Sequence, residues 1–320
     1  MAYDGSVREL RGIIPPMFTP LKGLDELDAA GLERLIEHIL DGGVHGLFIL
    51  GTTGEALSLS YRLRREVIER TCRQVAGRVP VLVGVTDTAV VETVELARFA
   101  AKVGADALVV AAPPYYPVTQ GEMLNYVEYL ARELPLPTFL YNMPSHTKFQ
   151  FEPETVRSAM RLDKIVGIKD SSGDMGYFHN LLTLLDERPD FNVLIGPEAL
   201  LGESVMMGGH GGVCGGANLF PRLFVAMYDA AAGRNIPNVL ELQKKIVLLS
   251  RSLYQIGNAS SSLLMGLSAA LSCLGICNDE LALPYSRLSD QKREEIRRNL
   301  DMLRDEGLGS PNRIPELAAV

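Results

Sequence analysis

The sequence predicts an α/β protein: a (β/α)8 TIM barrel with a C-terminal three-helix appendage. Three observations carry this. Short apolar runs alternate with stretches of helical periodicity about eight times between residues 12 and 232, with short connections throughout. No Gly-x-Gly-x-x-Gly opens a helix after the first apolar run, which ranks a doubly wound open sheet lower. From Pro237 onward, helical patterns follow one another with no strand between them.

Taken in order, Ile13-Ile14 through Phe18 reads as a first strand broken by Pro15 and Pro16. Leu32, Leu35, Ile36 and Leu40 recur at helical spacing, and Gly42-Gly43 closes that helix. His45 to Leu50 is a second strand, running into Gly51-Thr52-Thr53-Gly54-Glu55; Ser60 is an N-cap for a helix to Val75. Val79 to Val85 is strand three, and a helix from Ala89 to Val103 ends at Gly104. Ala107 to Ala111 is strand four, opening into Pro113-Pro114-Tyr115-Tyr116-Pro117. After a helix from Gly121 to Glu133, Thr138 to Tyr141 is strand five, opening into the loop 142–147. A short helix begins at Pro153, a residue suited to the first helical position. Ile165, Val166 and Ile168 mark strand six, with Lys169 at its end. A helix around Tyr177 to Leu185, strand seven at Phe191 to Ile195, a short helix to Met207, the Gly-rich strand eight at 210–216 and a helix from Pro221 to Ala232 complete the series. Residues 12–232 are thus expected to form a catalytic barrel, 233–305 a helical region packed on it, and 306–320 a frayed tail.

Composition narrows the function. The chain has 320 residues, 47% hydrophobic and 22% charged, with a net charge of −8 and no basic tract, so nucleic acid is a poor partner. No apolar run is long enough to span a bilayer, and Met1 to Arg11 lacks the apolar core of a signal peptide; the expectation is a cytoplasmic protein. Cys72, Cys214, Cys273 and Cys277 are scattered, which argues against a disulfide framework. Cys273 and Cys277 would share one helix face, but no His or Cys stands at ligand spacing, so no metal site is expected.

A barrel carries its active site at the C-terminal ends of its strands. Those positions hold Thr52 and Thr53, Tyr115 and Tyr116, Tyr141, Lys169 and a glycine run around Val213. The set is one lysine with several hydroxyls, and no glycosidase-type carboxylate pair. Alone, Lys169 would pair with Asp170 or Asp174. In company it fits a carbonyl reaction through a Schiff base, because desolvation lowers a lysine's pKa and a neutral amine attacks ketones. Tyr141 can relay protons, and consecutive amides in Gly51-Thr52-Thr53-Gly54 can hold a carboxylate. Glu55 reads as fixing its turn, Glu198 as a solvated loop carboxylate that could meet a polyhydroxylated substrate, and Cys214 as a small core residue.

With these motifs in place, the chain resembles the dihydrodipicolinate synthase/N-acetylneuraminate lyase superfamily of pyruvate-dependent class I aldolases. Gly51-Thr52-Thr53-Gly54-Glu55, Tyr141-Asn142-Met143-Pro144 and Gly167-Ile168-Lys169-Asp170 carry the resemblance, supported by Pro114-Tyr115-Tyr116 and Gly211-Gly212-Val213. The resemblance implies an imine between Lys169 and pyruvate in place of any cofactor. It implies Tyr141 as proton relay bonded to Thr52, and Thr53 with its neighbouring amides on the pyruvate carboxylate. Val213 would line the pocket. Tyr116 or Tyr115 would reach into a neighbouring subunit: the Pro-Tyr-Tyr anchor favours Tyr116, and ungapped counting back from Tyr141 favours Tyr115. A homo-oligomer, a dimer of dimers, follows. For the aldehyde half the motifs diverge. Dihydrodipicolinate synthases continue with Ser-Arg-Thr where this chain has Ser145-His146-Thr147, and histidine cannot make arginine's bidentate fork. Sialate lyases have Gly-Ser-Thr-Gly-Glu at the first motif and a small or apolar residue at position 146.

The expected function is therefore a lyase joining or cleaving pyruvate and an aldehyde, dihydrodipicolinate synthase-like (4-hydroxy-tetrahydrodipicolinate synthase) by overall resemblance. Alternatives are a 4-hydroxy-2-oxoglutarate, 2-keto-3-deoxy sugar acid or N-acetylneuraminate aldolase, or a sugar-acid dehydratase. From another class, a non-catalytic regulator on the same scaffold is the competitor. His146 reads either as a substrate contact or as a loop histidine bonded to a backbone carbonyl.

Overall fold

The computed structural model describes residues 10–256 and 261–308. Eight short parallel strands form the barrel wall: β1 (Gly12–Ile13), β2 (Leu47–Ile49), β3 (Val81–Gly84), β4 (Ala107–Ala111), β5 (Thr138–Asn142), β6 (Ile165–Asp170), β7 (Asn192–Ile195) and β8 (Gly211–Gly212). Neighbours in sequence are neighbours in space from β2 to β8, and β8 pairs with β1. The seam between β1 and β2 is closed by Met17 N–H to Phe48 O (2.8 Å), Phe48 N–H to Pro15 O (3.0 Å) and His45 N–H to Ile13 O (2.8 Å). The sheet thus returns on itself and leaves no free edge.

The helices of the barrel are α1 (Ala29–Asp41), α2 (Tyr61–Val75), α3 (Val90–Lys102), α4 (Gln120–Glu133), the four-residue α5 (Pro144–Thr147), α6 (Pro153–Ala159), α7 (Met175–Thr183), α8 (Leu201–Met206) and α9 (Pro221–Ala232). Their starts follow local chemistry. Ser60 accepts from Leu63 N–H, and Thr119 with Glu122 forms a reciprocal capping box. Three further helices follow: α10 (Ile236–Leu253), α11 (Ser262–Cys273) and α12 (Asp290–Leu303).

Several expectations are corrected. The first strand stops at Ile13, because Pro15 and Pro16 have no N–H with which to extend a ladder. The eighth is two residues long, not the whole of 210–216. A small antiparallel hairpin, Leu21–Gly23 with Glu26–Leu27, lies between β1 and α1 and had no clear sequence signal. The loop after β5 contains α5, started by Pro144. Helix α11 ends at Cys273, so Cys277 is not on its face. Of the expected frayed tail, residues 309–320 lie outside the described residues.

Period-2 alternation divides the strands between two cores. Ile14, Phe48, Leu82, Val109, Phe139, Val166, Leu194 and Val213 fill the barrel interior. Their neighbours, among them Ile13, Ile49, Val83, Val110, Leu140, Ile168 and Ile195, pack outward beneath the helices. Full burial of each such side chain stabilises the fold by roughly 1.5–3 kcal/mol.

One strand breaks its own alternation. Thr138 pairs with Ile165, but Phe139 pairs with Gly167, so β6 carries an extra residue at Val166. Val166 faces inward and Ile168 outward. The bulge shifts the phase, and Lys169 consequently points into the barrel. Gly167 is required here: a Cβ would meet the Phe139 ring at 2.5 Å and Asn192 O at 2.7 Å.

Candidate active site

Lys169 and Tyr141 are register partners on β6 and β5, at the C-terminal end of the barrel interior. Both are buried. Lys169 Nζ lies 4.1 Å from the centre of the Tyr141 ring and 5.2 Å from that of Phe48. The Phe48 and Tyr141 rings meet edge to face at 6.3 Å. Two aromatic walls therefore confine the amine.

The simple ion pair expected for an isolated Lys169 does not form. Asp170 turns outward, where its Oδ1 accepts from Asn142 Nδ2 (2.8 Å) and Ser172 N–H (3.0 Å), and its Oδ2 from Ser172 Oγ (2.9 Å). Asp174 caps α7 by accepting from Tyr177 N–H. Among the described residues Lys169 has no salt bridge. The outward network still serves the site, because it ties the ends of β5 and β6 together.

Thr52 Oγ1 stands 3.3 Å from Tyr141 Oη, and either can donate. Burial would raise the Tyr141 pKa above 10. The Lys169 charge and hydrogen bonds from Thr52, Ser171 and Lys169 outweigh burial and bring it lower. A phenol poised in this way is suited to proton transfer.

The Thr52 turn is held from several sides. Glu55 N–H reaches Thr52 O (3.1 Å), and Thr19 Oγ1 donates to Gly54 O (2.8 Å). Glu55 adopts a left-handed φ of 53°. Its buried carboxylate does fix the turn, but through a distant partner: Oε2 accepts from Ala282 N–H (2.9 Å), beyond α11. Burial pushes this carboxyl up to about 7 against the Ala282 hydrogen bond.

Thr53 is half-buried beside Thr52, and Val213 closes the interior column with Leu194 and Tyr141. The paired tyrosines are not brought in. Tyr115 is 98% and Tyr116 79% exposed on the loop after β4, and Tyr115 has φ 87°. Two bare aromatics beside a strand-end site are unusual for a solitary chain.

His146 lies on α5, exposed, with Nδ1 2.9 Å from Ser145 Oγ. Its recorded partner is thus a hydroxyl, not a backbone carbonyl. Partial desolvation and the Lys148 charge hold its pKa below 6.5. Glu198 corrects the sequence reading most sharply. Far from being solvated, its carboxyl is enclosed, accepts from Gly216 N–H (2.8 Å), and is raised to about 7 by burial. Cys214 is fully buried as expected.

Sequence reasoning missed Phe48, Ser171 and Tyr254. Inward alternation on β2 was the available signal for Phe48; nothing local announced Tyr254. Among the described residues no group of three or more His, Cys, Asp or Glu is arranged to hold a metal ion. An open groove of about 770 Å³, lined by Arg34, Glu37, His38, Arg73 and Gln74, lies between α1 and α2, away from these strand ends.

The model of the Dihydrodipicolinate synthetase family matches residues 9–303. A 4-hydroxy-tetrahydrodipicolinate synthase of Methanopyrus kandleri is 33% identical over 301 residues, 92% of this chain and 97% of its own. A probable 2-dehydro-3-deoxy-D-pentonate aldolase of Escherichia coli is 32% identical over 293 residues, 91% of this chain and 96% of its own. The solved dihydrodipicolinate synthase structure from Bacteroides thetaiotaomicron is 49% identical with a TM-score of 0.89, covering 92% of this chain and 98% of that one.

Proposed function

The chain belongs to the dihydrodipicolinate synthetase family, within the superfamily of pyruvate-dependent class I aldolases, and from that premise we propose that it joins or cleaves pyruvate and an aldehyde through an imine on Lys169. The observation that carries the reading is the Lys169–Tyr141–Thr52 constellation, with Nζ 4.1 Å from the Tyr141 ring and the two hydroxyls 3.3 Å apart.

In condensation, neutral Lys169 attacks C2 of pyruvate and the carbinolamine loses water to give the imine. Loss of a C3 proton leaves an enamine, the protonated imine having taken up the electron pair. The enamine carbon attacks the aldehyde, and the new alkoxide takes its proton through Tyr141. Water then hydrolyses the imine, restoring the amine and releasing the product. Cleavage runs the same steps in reverse. Thr52 orients the Tyr141 hydroxyl, Thr53 and the adjacent amides receive the pyruvate carboxylate, and Val213 packs against the oxo-acid. The pathway needs no other cofactor.

The 4-hydroxy-tetrahydrodipicolinate synthase reaction is the first reading of the aldehyde half, since relatives of that name span almost the whole chain. His146 supports a second, a 2-keto-3-deoxy sugar acid aldolase: it offers hydrogen bonding without a guanidinium fork, and an aldolase of that kind is equally similar. The exposed Tyr115 and Tyr116 support a dimer at least, read as half of a homotetramer with one tyrosine in the partner's site. Among the described residues no helix is long and apolar enough to cross a membrane, and we place the enzyme in the cytoplasm. Residues 12–232 act as the catalytic barrel and 233–305 as its helical support.

Borohydride reduction with pyruvate tests the reading. A pyruvyl adduct on Lys169 by peptide mass spectrometry is expected; an unmodified lysine overturns it. Pyruvate release from 2-keto-3-deoxy sugar acids, beside condensation with aspartate semialdehyde, separates the two aldehyde assignments.

A further inference from the structure

The turns after β7 and β8 are joined by a buried carboxyl that the mechanism above leaves unused. Glu198 begins the turn after β7, and Oε2 accepts from Gly216 N–H at 2.8 Å in the turn after β8. Tyr254, at the end of α10, turns its hydroxyl to the same carboxyl. Glu198 Oε1 and Tyr254 Oη nevertheless close no hydrogen bond of ordinary geometry. The space is tight: a Cβ on Gly216 would meet the Tyr254 hydroxyl at 2.8 Å and the Phe224 ring at 2.6 Å.

The far side of the β8 turn is fastened independently. Asn218 Nδ2 donates to Gly215 O (2.9 Å) and Pro16 O (3.0 Å), while Asn218 Oδ1 accepts from Phe18 N–H (3.0 Å). Gly215 and Gly216, which directly follow Val213 and Cys214, are thus held one by Asn218 and the other by Glu198. Val213 is the inward residue of that segment, held by its own N–H to Ile195 O at 2.8 Å.

We propose that Glu198 is a positioning residue of the oxo-acid pocket: through Gly216 it fixes the β8 turn, and so sets where Val213 stands relative to Lys169. This rests on the reading of Lys169 as the imine-forming residue. A buried carboxylate that accepts one strong hydrogen bond grips it more firmly when ionised than when protonated. The titratable or charged groups facing Glu198 are the Tyr254 hydroxyl, the buried Cys214 thiol and, beyond Cys214, the Lys169 amine. Burial brings the carboxyl to about 7, so the grip weakens as pH falls through neutrality.

The test compares wild type, Glu198→Gln and Glu198→Ala from pH 6 to pH 8. It reads pyruvate KM, kcat and borohydride-trapped imine at saturating pyruvate. Glu198→Gln keeps the shape and an accepting oxygen but cannot ionise. The expected result is a pyruvate KM that rises in wild type toward pH 6 and loses that dependence in Glu198→Gln. Glu198→Ala should raise KM by roughly three- to tenfold, the effect of one such hydrogen bond. Trapping at saturation should still label Lys169 in all three. Unlabelled wild type would overturn the Lys169 reading instead. Labelled wild type with identical KM and pH profiles in the three proteins would overturn the role of Glu198 alone, and circular dichroism shows whether each variant is folded.

Discussion

Thr52 Oγ1 lies 3.3 Å from Tyr141 Oη although the two residues are 89 positions apart, one in the turn after β2 and the other on β5, strands that are not neighbours in the sheet. The contact spans the barrel mouth above Phe48 and brings the β2 turn to the lysine's side. It makes the hydroxyl chain a property of the closed barrel rather than of any one motif.

Tyr141→Phe preserves the ring that confines Lys169 and removes only the hydroxyl. Turnover should fall by roughly 10²–10⁴-fold, the range of a positioned acid–base group, while the imine with pyruvate still forms. Lys169→Ala should abolish both with the fold intact by circular dichroism. A Tyr141→Phe enzyme at full rate removes the relay.

Tyr115 and Tyr116 are separated by phenylalanine substitution one at a time. The variant of the tyrosine that enters the partner's site should lose rate, and mixing it with Lys169→Ala protein should restore part of the activity through hybrid sites. Unmixed activity in both variants equal to wild type would show that neither hydroxyl takes part.

Glu55 gives a stability prediction with a definite sign. Its folded pKa, about 7, lies above the ordinary 4.5, so the folded state favours the protonated form. That contribution is complete below pH 4.5 and is lost as pH rises through 7. Glu55→Gln should therefore raise Tm relative to wild type at pH 8 and change it little at pH 5, as calorimetry would show.

His210 acts in the opposite direction. Its Nδ1 accepts from Val193 N–H at 3.2 Å, and burial with the Arg11 charge lowers its pKa from 6.5 to about 4. The neutral ring's contribution is complete above pH 6.5, shrinks as pH falls, and is gone below about 4. At about 1.4 kcal/mol per pKa unit, the full effect is roughly 3 kcal/mol. His210→Asn, which retains an acceptor, should flatten urea-unfolding stability between pH 7 and pH 5; an unchanged slope would remove His210 as its source.

Gly167→Ala places a methyl group within 2.5 Å of the Phe139 ring and 2.7 Å of Asn192 O. Overpacking of this kind costs roughly 1–3 kcal/mol, and relief requires the β6 bulge to move. Lower Tm and weakened imine trapping should appear together. Normal trapping in a destabilised variant would show that the bulge tolerates the methyl group.

The eightfold alternation and the residues at strand ends were legible because apolar periodicity and strand ends are local. Lys169, Tyr141 and Thr52 could be read in this way. Glu198 could not: its burial depends on Gly216 and Tyr254, 18 and 56 positions further along, and a loop carboxylate has no local signature of enclosure. Glu55 was legible only in part, since its turn was visible and Ala282 was not. The strand bounds at Pro15 and at Gly212 failed because proline chemistry and barrel closure, rather than hydrophobicity, ended those strands.

The extra residue in β6 means that Gly167-Ile168-Lys169-Asp170 works only in one phase. With strict alternation from the inward Val166, the same residues would turn the Lys169 amine outward, beneath the helices. A strand of identical sequence paired without that bulge would still spell every motif and would look no different in any alignment. It would be an intact shell with the lysine amine on the wrong side of the wall, a difference that sequence alone does not record.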